Sequence, residues 1–191
     1  MKKYNKKGDM WISVAIYMAL SVVVLTVILA AGNPILAKMR AKNTFTQTKD
    51  IMNNINDMIR QVASESAGSQ MPASVNIKEG ELKILGYNST IAGNSENNSL
   101  IWTFDSKNNL GIEPGLWVKE GALLLHADKI SEDSYKLKIK LDYSDRAIII
   151  TEDSIPKIAK TNILVSNEGY RAYFDEIDSK SGIIIKISSP Q

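Results

Sequence analysis

Between Met10 and Ala31 the chain reads MWISVAIYMALSVVVLTVILAA, 22 residues without a charge, and no other feature restricts its fold so strongly. At about 1.5 Å per residue, a helix of that length covers the roughly 30 Å hydrocarbon core of a bilayer. The segment is therefore expected to be a transmembrane helix. Its polar side chains are Ser13, Ser21, Thr26 and the Tyr17 hydroxyl. They cost little, because a helical Ser or Thr donates its hydroxyl proton to a carbonyl one turn back. Trp11 falls where an indole anchors a span in the headgroup region.

Charge around the run gives it a direction. Lys2, Lys3, Lys6 and Lys7 precede it, and Lys38, Arg40 and Lys42 come after it. The positive-inside rule then places the N-terminus in the cytoplasm and the long C-terminal part outside the cell. Residues 1–64 hold nine Lys/Arg against three acids, a balance of +6, and the remainder holds 14 against 18, a balance of −4. That asymmetry fits a basic, membrane-proximal stem and a mildly acidic, solvated head. A secretory signal shares the basic start and the small residues Ala30, Ala31 and Gly32. Its apolar region runs only about 7 to 15 residues, however, so retention of this longer one is expected.

Beyond the span, Gly32-Asn33-Pro34 is expected to bend or interrupt the helix, since proline removes one backbone bond and disfavours helix at the residue before it. Helical spacing resumes at Ile51, Met52, Ile55, Met58, Ile59 and Val62, an apolar stripe that the head domain or a neighbouring molecule must cover. The helix is expected to end near Gly68, with Pro72 shortly after. Ala15 and Ala19, and Thr26 and Ala30, have the small-xxx-small spacing that permits close helix approach in lipid, and equally that of ordinary lipid-facing residues.

From Ser74 the period shortens to two. Tyr135, Leu137, Ile139, Leu141 and Tyr143 alternate with Lys136, Lys138, Lys140 and Asp142, a strand with one buried and one wet face, as in antiparallel sheet. Ala147 to Thr151 is expected to return as its hairpin partner after Ser144-Asp145. Two further hairpins are expected around Lys-Glu-Gly turns at 78–80 and 119–121. Strands are also expected at Leu100 to Phe104, Ile163 to Val165, Tyr170 to Phe174 and Gly182 to Ile187. The resulting division is a basic cytoplasmic leader over 1–9, a transmembrane helix over 10–31, an amphipathic stalk helix over 32–68 and an extracellular β-rich head domain over 69–191. The fold class is α+β, the long helix followed by an antiparallel β-sandwich-like domain.

The chain lacks the residues most catalytic centres need. It has no cysteine and one histidine, His126, which removes disulfides, thiolate metal sites and histidine clusters. Phosphate loops, nucleophile elbows and zinc-protease motifs are absent from the sequence. His126, with Asp128 two residues on, is expected to be a hydrogen-bonded or exposed structural residue, and Trp102 and Trp117 to be core. Asp175-Glu176-Ile177-Asp178 lacks the spacing and inner glycine of a calcium loop and reads as a solvated turn. No catalytic, cofactor or metal site is expected, the protein is not expected to be an enzyme, and the lysine face of the Tyr135 strand does not imply nucleic acid on a domain of net −4. Two Asn-x-Ser/Thr sequons, at Asn88 and Asn97, are candidates for N-glycosylation of an outward-facing loop.

The order of Lys6, Lys7, Gly8 and Asp9, the apolar run from Met10 to Ala31 and the amphipathic extension to about Val62 resembles a type IV pilin-like protein of the archaeal kind. The resemblance covers roughly the first third of the chain and is architectural. It implies cleavage by a prepilin peptidase after Gly8, membrane lipid as the first environment, and homo- or hetero-oligomers of pilin-like subunits in a surface filament. Two departures stand against it. Ser13 occupies the position where bacterial pilins carry glutamate, and the glycine-rich run of archaeal flagellins is missing. The alternative is a monomeric, membrane-tethered binding or accessory protein.

Overall fold

The computed structural model describes residues 6–87, 96–152, 160–174 and 179–188. Helix α1 spans Lys6–Ser64 and contains Pro34 without a break, so the expected interruption at Gly32-Asn33-Pro34 does not occur. Proline removes one bond of the ladder, and a long helix propagates on the bonds that remain. The chain divides into two compact units, 1–40 and 41–191.

In the first unit the helix has no internal partner, and every residue from Trp11 to Ala31 is exposed. An 18-residue window there reaches a mean hydropathy of 2.7 with none of it buried. This is one N-terminal helix long and apolar enough to cross a membrane.

The second unit joins the rest of α1 to nine strands in two sheets. One sheet contains β1 (Gln70–Asn76), β8 (Lys160–Phe174), β9 (Ser179–Ser188) and β7 (Ile148–Glu152), in that order. Its pairs are antiparallel except β7 with β9, which run parallel. The other sheet orders β2 (Glu81–Leu85), β3 (Ser99–Ser106), β6 (Ser134–Asp142), β5 (Leu123–Ser131) and β4 (Trp117–Glu120), all antiparallel.

The inward alternation is regular. Leu82, Trp102, Ile139 and Leu125 are cross-strand neighbours on one face of the second sheet, and Ala73, Ile163, Val165, Ile187 and Ile185 line one face of the first. All are buried in one core that also takes Phe45, Met52, Ile55, Ile59 and Val62 of α1. The amphipathic stripe of the helix is therefore covered by the head, and it begins two turns earlier than its clearest sequence pattern, at Phe45 and Thr48.

Several expected pairings are corrected. The Lys-Glu-Gly turn at 119–121 does close a hairpin, β4 with β5. The one at 78–80 does not, because β1 and β2 lie in different sheets. There the Trp102 indole donates to the Glu79 carbonyl at 3.0 Å, and Gly80, at φ +93°, sits where a Cβ would run into Trp102 and the Thr103 carbonyl. The turn is held as a crossing between sheets. Nor does β7 pair with β6, whose two edges are already taken by β3 and β5. The two strands expected at 163–165 and 170–174 are one strand, β8, with a register shift between Asn167 and Gly169, where a bulge with glycine at φ +93° lets the ladder continue on both sides.

Candidate functional site

Among the described residues stand the bare apolar helix and a set of polar side chains that bind the head together. On the helix, the Ser21 and Thr26 hydroxyls each donate to a carbonyl four residues back, on Tyr17 and Val22, at 2.8 Å. A helix with its polar groups satisfied internally can enter hydrocarbon. Ile35, Leu36 and Met39 continue the exposed apolar surface past Ala31. Of the leader residues, Lys6, Lys7, Gly8 and Asp9 have helical backbone.

His126 is the centre of a titratable cluster. Its Nε2 meets Asp128 Oδ1 at 2.7 Å and its Nδ1 the Leu116 carbonyl oxygen at 3.1 Å. Lys138 Nζ reaches the other oxygen of Asp128 at 3.0 Å. Burial pushes the Asp128 carboxyl up, but hydrogen bonds and charge from Lys138 and His126 outweigh it and hold the group below its usual range. Trp117, expected in the core, stands half-exposed on edge strand β4, its ring stacked on His126 with centroids 4.6 Å apart. Register explains the difference, since Trp117 pairs with His126 on the face opposite the core. Trp102 is buried as expected and stacks on Phe104 at 5.4 Å.

Lys138 and Lys140 on that outer face are each paired with an acid, Asp128 and Asp142, so charge there is compensated within the face. Burial again raises the Asp142 carboxyl, and the Ser144 hydroxyl and N–H together with Lys140 bring it below the usual range.

Three buried asparagines, unremarked in the sequence, do the joining. Asn98, at φ +57°, donates from Nδ2 to the carbonyls of Tyr143 (2.8 Å) and Ile148 (2.9 Å) and accepts from the Ile150 N–H at 2.7 Å. Its side chain thus pairs with β7 as a strand residue would. Asn167 donates from Nδ2 to the carbonyls of Val62 (3.0 Å) and Glu65 (3.1 Å), closing the C-terminal turn of α1 whose carbonyls have no helical partner. Asn56 accepts at Oδ1 from the Tyr143 hydroxyl (3.1 Å) and from Arg146 Nη1 (3.3 Å). Burial pushes the Tyr143 phenol well above its ordinary value.

The candidate glycosylation sites have separate settings. Asn88 lies outside the described residues, as do Asp175 to Asp178. Asn97 is part-buried, its Oδ1 enclosed without a hydrogen-bond partner among the described residues, and the Ser99 hydroxyl of its sequon is turned to the Glu96 carbonyl.

Open hollows lie on the surface of the described residues. One, about 380 Å³, lies beside Glu79, Gly80, Glu81, Asp105 and Lys136. Another, about 570 Å³, is bordered by Gln70, Ser166, Arg171, Lys186 and Ser188. No group of three or more His, Cys, Asp or Glu side chains that could hold a metal ion occurs among the described residues.

These features define an α+β protein with a membrane-compatible N-terminal helix and a two-sheet head. No protein-family model matches the chain, and searches of curated proteins and of solved structures found no match either.

Proposed function

We propose that the chain is a pilin-like structural protein of the cell surface, inserted by its N-terminal helix with the head outside the cell, and assembling with like subunits through that helix. A prepilin peptidase would cut its leader after Gly8, leaving Asp9 as the first residue. The observation that carries the reading is the contrast within one helix. From Trp11 to Ala31 it is exposed and apolar all round, a surface suited to lipid or to helices of the same kind, whereas from Phe45 to Val62 it supplies five side chains to the core of the head. Assembly through the first part would thus display a head built on the second. No catalytic step belongs to this proposal.

Mass analysis of the mature N-terminus tests the leader, with a chain starting at Asp9 expected and an intact leader in functional protein opposing it. Electron microscopy of material sheared from cells, with the subunits identified by mass, tests assembly. The hollow lined by Arg171, Lys186 and Glu168 beside Gln70, Ser166 and Ser188, with Lys186 4.0 Å from the Glu168 carboxylate, favours a second reading, a membrane-tethered binding protein that stays monomeric. Recovery only as detergent-extracted monomer would select it.

A further inference from the structure

The two sheets have four edges, and an edge presents unpaired N–H and C=O groups that invite a further strand. Three are guarded. β1 carries Pro72, which has no N–H to offer. β7 has its Ile150 N–H and Ile148 carbonyl bonded by the Asn98 side chain, and its Ile150 carbonyl by the Tyr87 N–H at 2.9 Å. β2 lies beside β7 at the junction of the sheets. β4 has only milder guards, its length of four residues, Lys119 and the Glu120 carboxylate, which accepts from Lys49 Nζ of α1 at 2.6 Å, and its outer backbone is open. Among the described residues nothing is hydrogen-bonded along its outer side, and Trp117 and Val118 within it and Leu116 just before it are 45%, 44% and 55% exposed.

We propose that β4 is a self-association edge, at which two copies of this chain pair antiparallel about a twofold axis perpendicular to the sheet. That axis keeps the outer faces of both copies on one side, so facing residues must share a face. Val118 opposite Val118 of the other copy satisfies this and sets each Trp117 against Lys119 of the other copy, an ammonium beside an indole. Shifting the axis to Lys119 would oppose two like charges. The Val118 register brings Leu116 opposite Glu120, and shifting the axis to Trp117 would recruit Gly115 as well, further into the irregular stretch between the Pro114–Ala127 bridge and the Trp117–His126 pair. The strand's own residues are thus complementary to themselves in one register, which is why the occupant is a second copy. Four-residue strands bury far less than the roughly 1,200 Å² of a stable interface. Pairing is therefore weak in free solution, and confinement of copies by their helices to one bilayer strengthens it through effective concentration. The pairing rests on membrane anchorage as proposed above and on nothing about filaments.

The chain has no cysteine, so a single introduced one reports only on itself. Facing residues in an antiparallel pair have Cα atoms about 4.5 to 5.5 Å apart, within disulfide reach. The test uses the full chain in phosphatidylcholine vesicles under mild oxidant. Val118→Cys is expected to form covalent dimer about tenfold faster than Ser74→Cys on the guarded edge of β1, and Lys119→Glu in the Val118→Cys chain to remove that advantage. An equimolar mixture of Trp117→Cys and Lys119→Cys chains is expected to crosslink faster than either alone. Equal rates for Val118→Cys and Ser74→Cys, or no effect of Lys119→Glu, overturn the pairing, and a mixture no faster than its components overturns its register. Fractionation beforehand separates the two readings. A chain washed off the vesicles refutes anchorage, whereas a retained chain with equal rates refutes the pairing alone.

Discussion

At the scale of single residues, the head depends on asparagines whose amides stand in for backbone. Asn98 serves two carbonyls and one N–H from inside the fold, and each buried partner left unsatisfied costs about 1–3 kcal/mol. The Tyr143 carbonyl keeps the Arg146 N–H at 3.1 Å, so Asn98→Ala orphans the Ile148 carbonyl and the Ile150 N–H and is expected to lower the stability of the head by about 2 kcal/mol or more, read from chemical unfolding. Asn98→Asp keeps the acceptor but loses the donors and places a carboxylate against two carbonyl oxygens, so it is expected to be no better. Acid acts through Asp142. Its carboxyl titrates below the ordinary 3.8 in the folded chain, so its stabilisation is complete above 3.8 and lost as the pH falls through the folded value. Melting temperature measured from pH 6 downward is expected to drop below about pH 4, and to drop less in Asp142→Asn. Neither role was legible from residue type. Asn98 sits in a loop rich in Asn, Ser and Gly, where composition marks exposure, and only the approach of β7 makes one of those amides structural.

At the scale of elements, the two Lys-Glu-Gly turns carry the same three residues and do different work. One closes the β4–β5 hairpin and the other carries the chain from one sheet to the next. Turn chemistry permits the reversal at both, and the strand that comes after it pairs according to which face each flanking strand must bury. Gly80→Ala is expected to test this, because a Cβ there meets Trp102 and the Thr103 carbonyl and the φ of +93° is costly for alanine. A loss of about 2 kcal/mol or more is expected, whereas Gly121→Ala in open space at φ +61° is expected to cost about 1 kcal/mol, both by denaturant titration. The C-terminal turn of α1 shows the same dependence on distant partners. Asn167→Ala is expected to speed amide exchange selectively at the end of the helix, since the Glu65 carbonyl loses the Asn167 amide and the Val62 carbonyl keeps only the longer bonds from the Ser69 hydroxyl and the Glu65 N–H.

At the scale of the whole molecule, the helix belongs to both compact units, and cutting it in different places has different consequences. A chain beginning at Ala41 keeps Phe45, Met52, Ile55, Ile59 and Val62 in the core and is expected to stay soluble without detergent. One beginning at Ser69 loses all five, exposes the sheets they cover, and is expected to aggregate, as sedimentation would show. The sequence by itself determined the membrane-compatible helix, the α+β class and nearly every strand, because transfer of apolar residues from water and the periods 3.6 and 2 are local properties of the chain. The tertiary structure alone decided that β7 runs parallel to β9 instead of returning along β6, that Trp117 lies on an open edge, and that Asn56, Asn98 and Asn167 are interior. Those outcomes rest on contacts between residues tens of positions apart, where several pairings satisfy the same alternation and only the simultaneous burial of both sheets and the helix selects one.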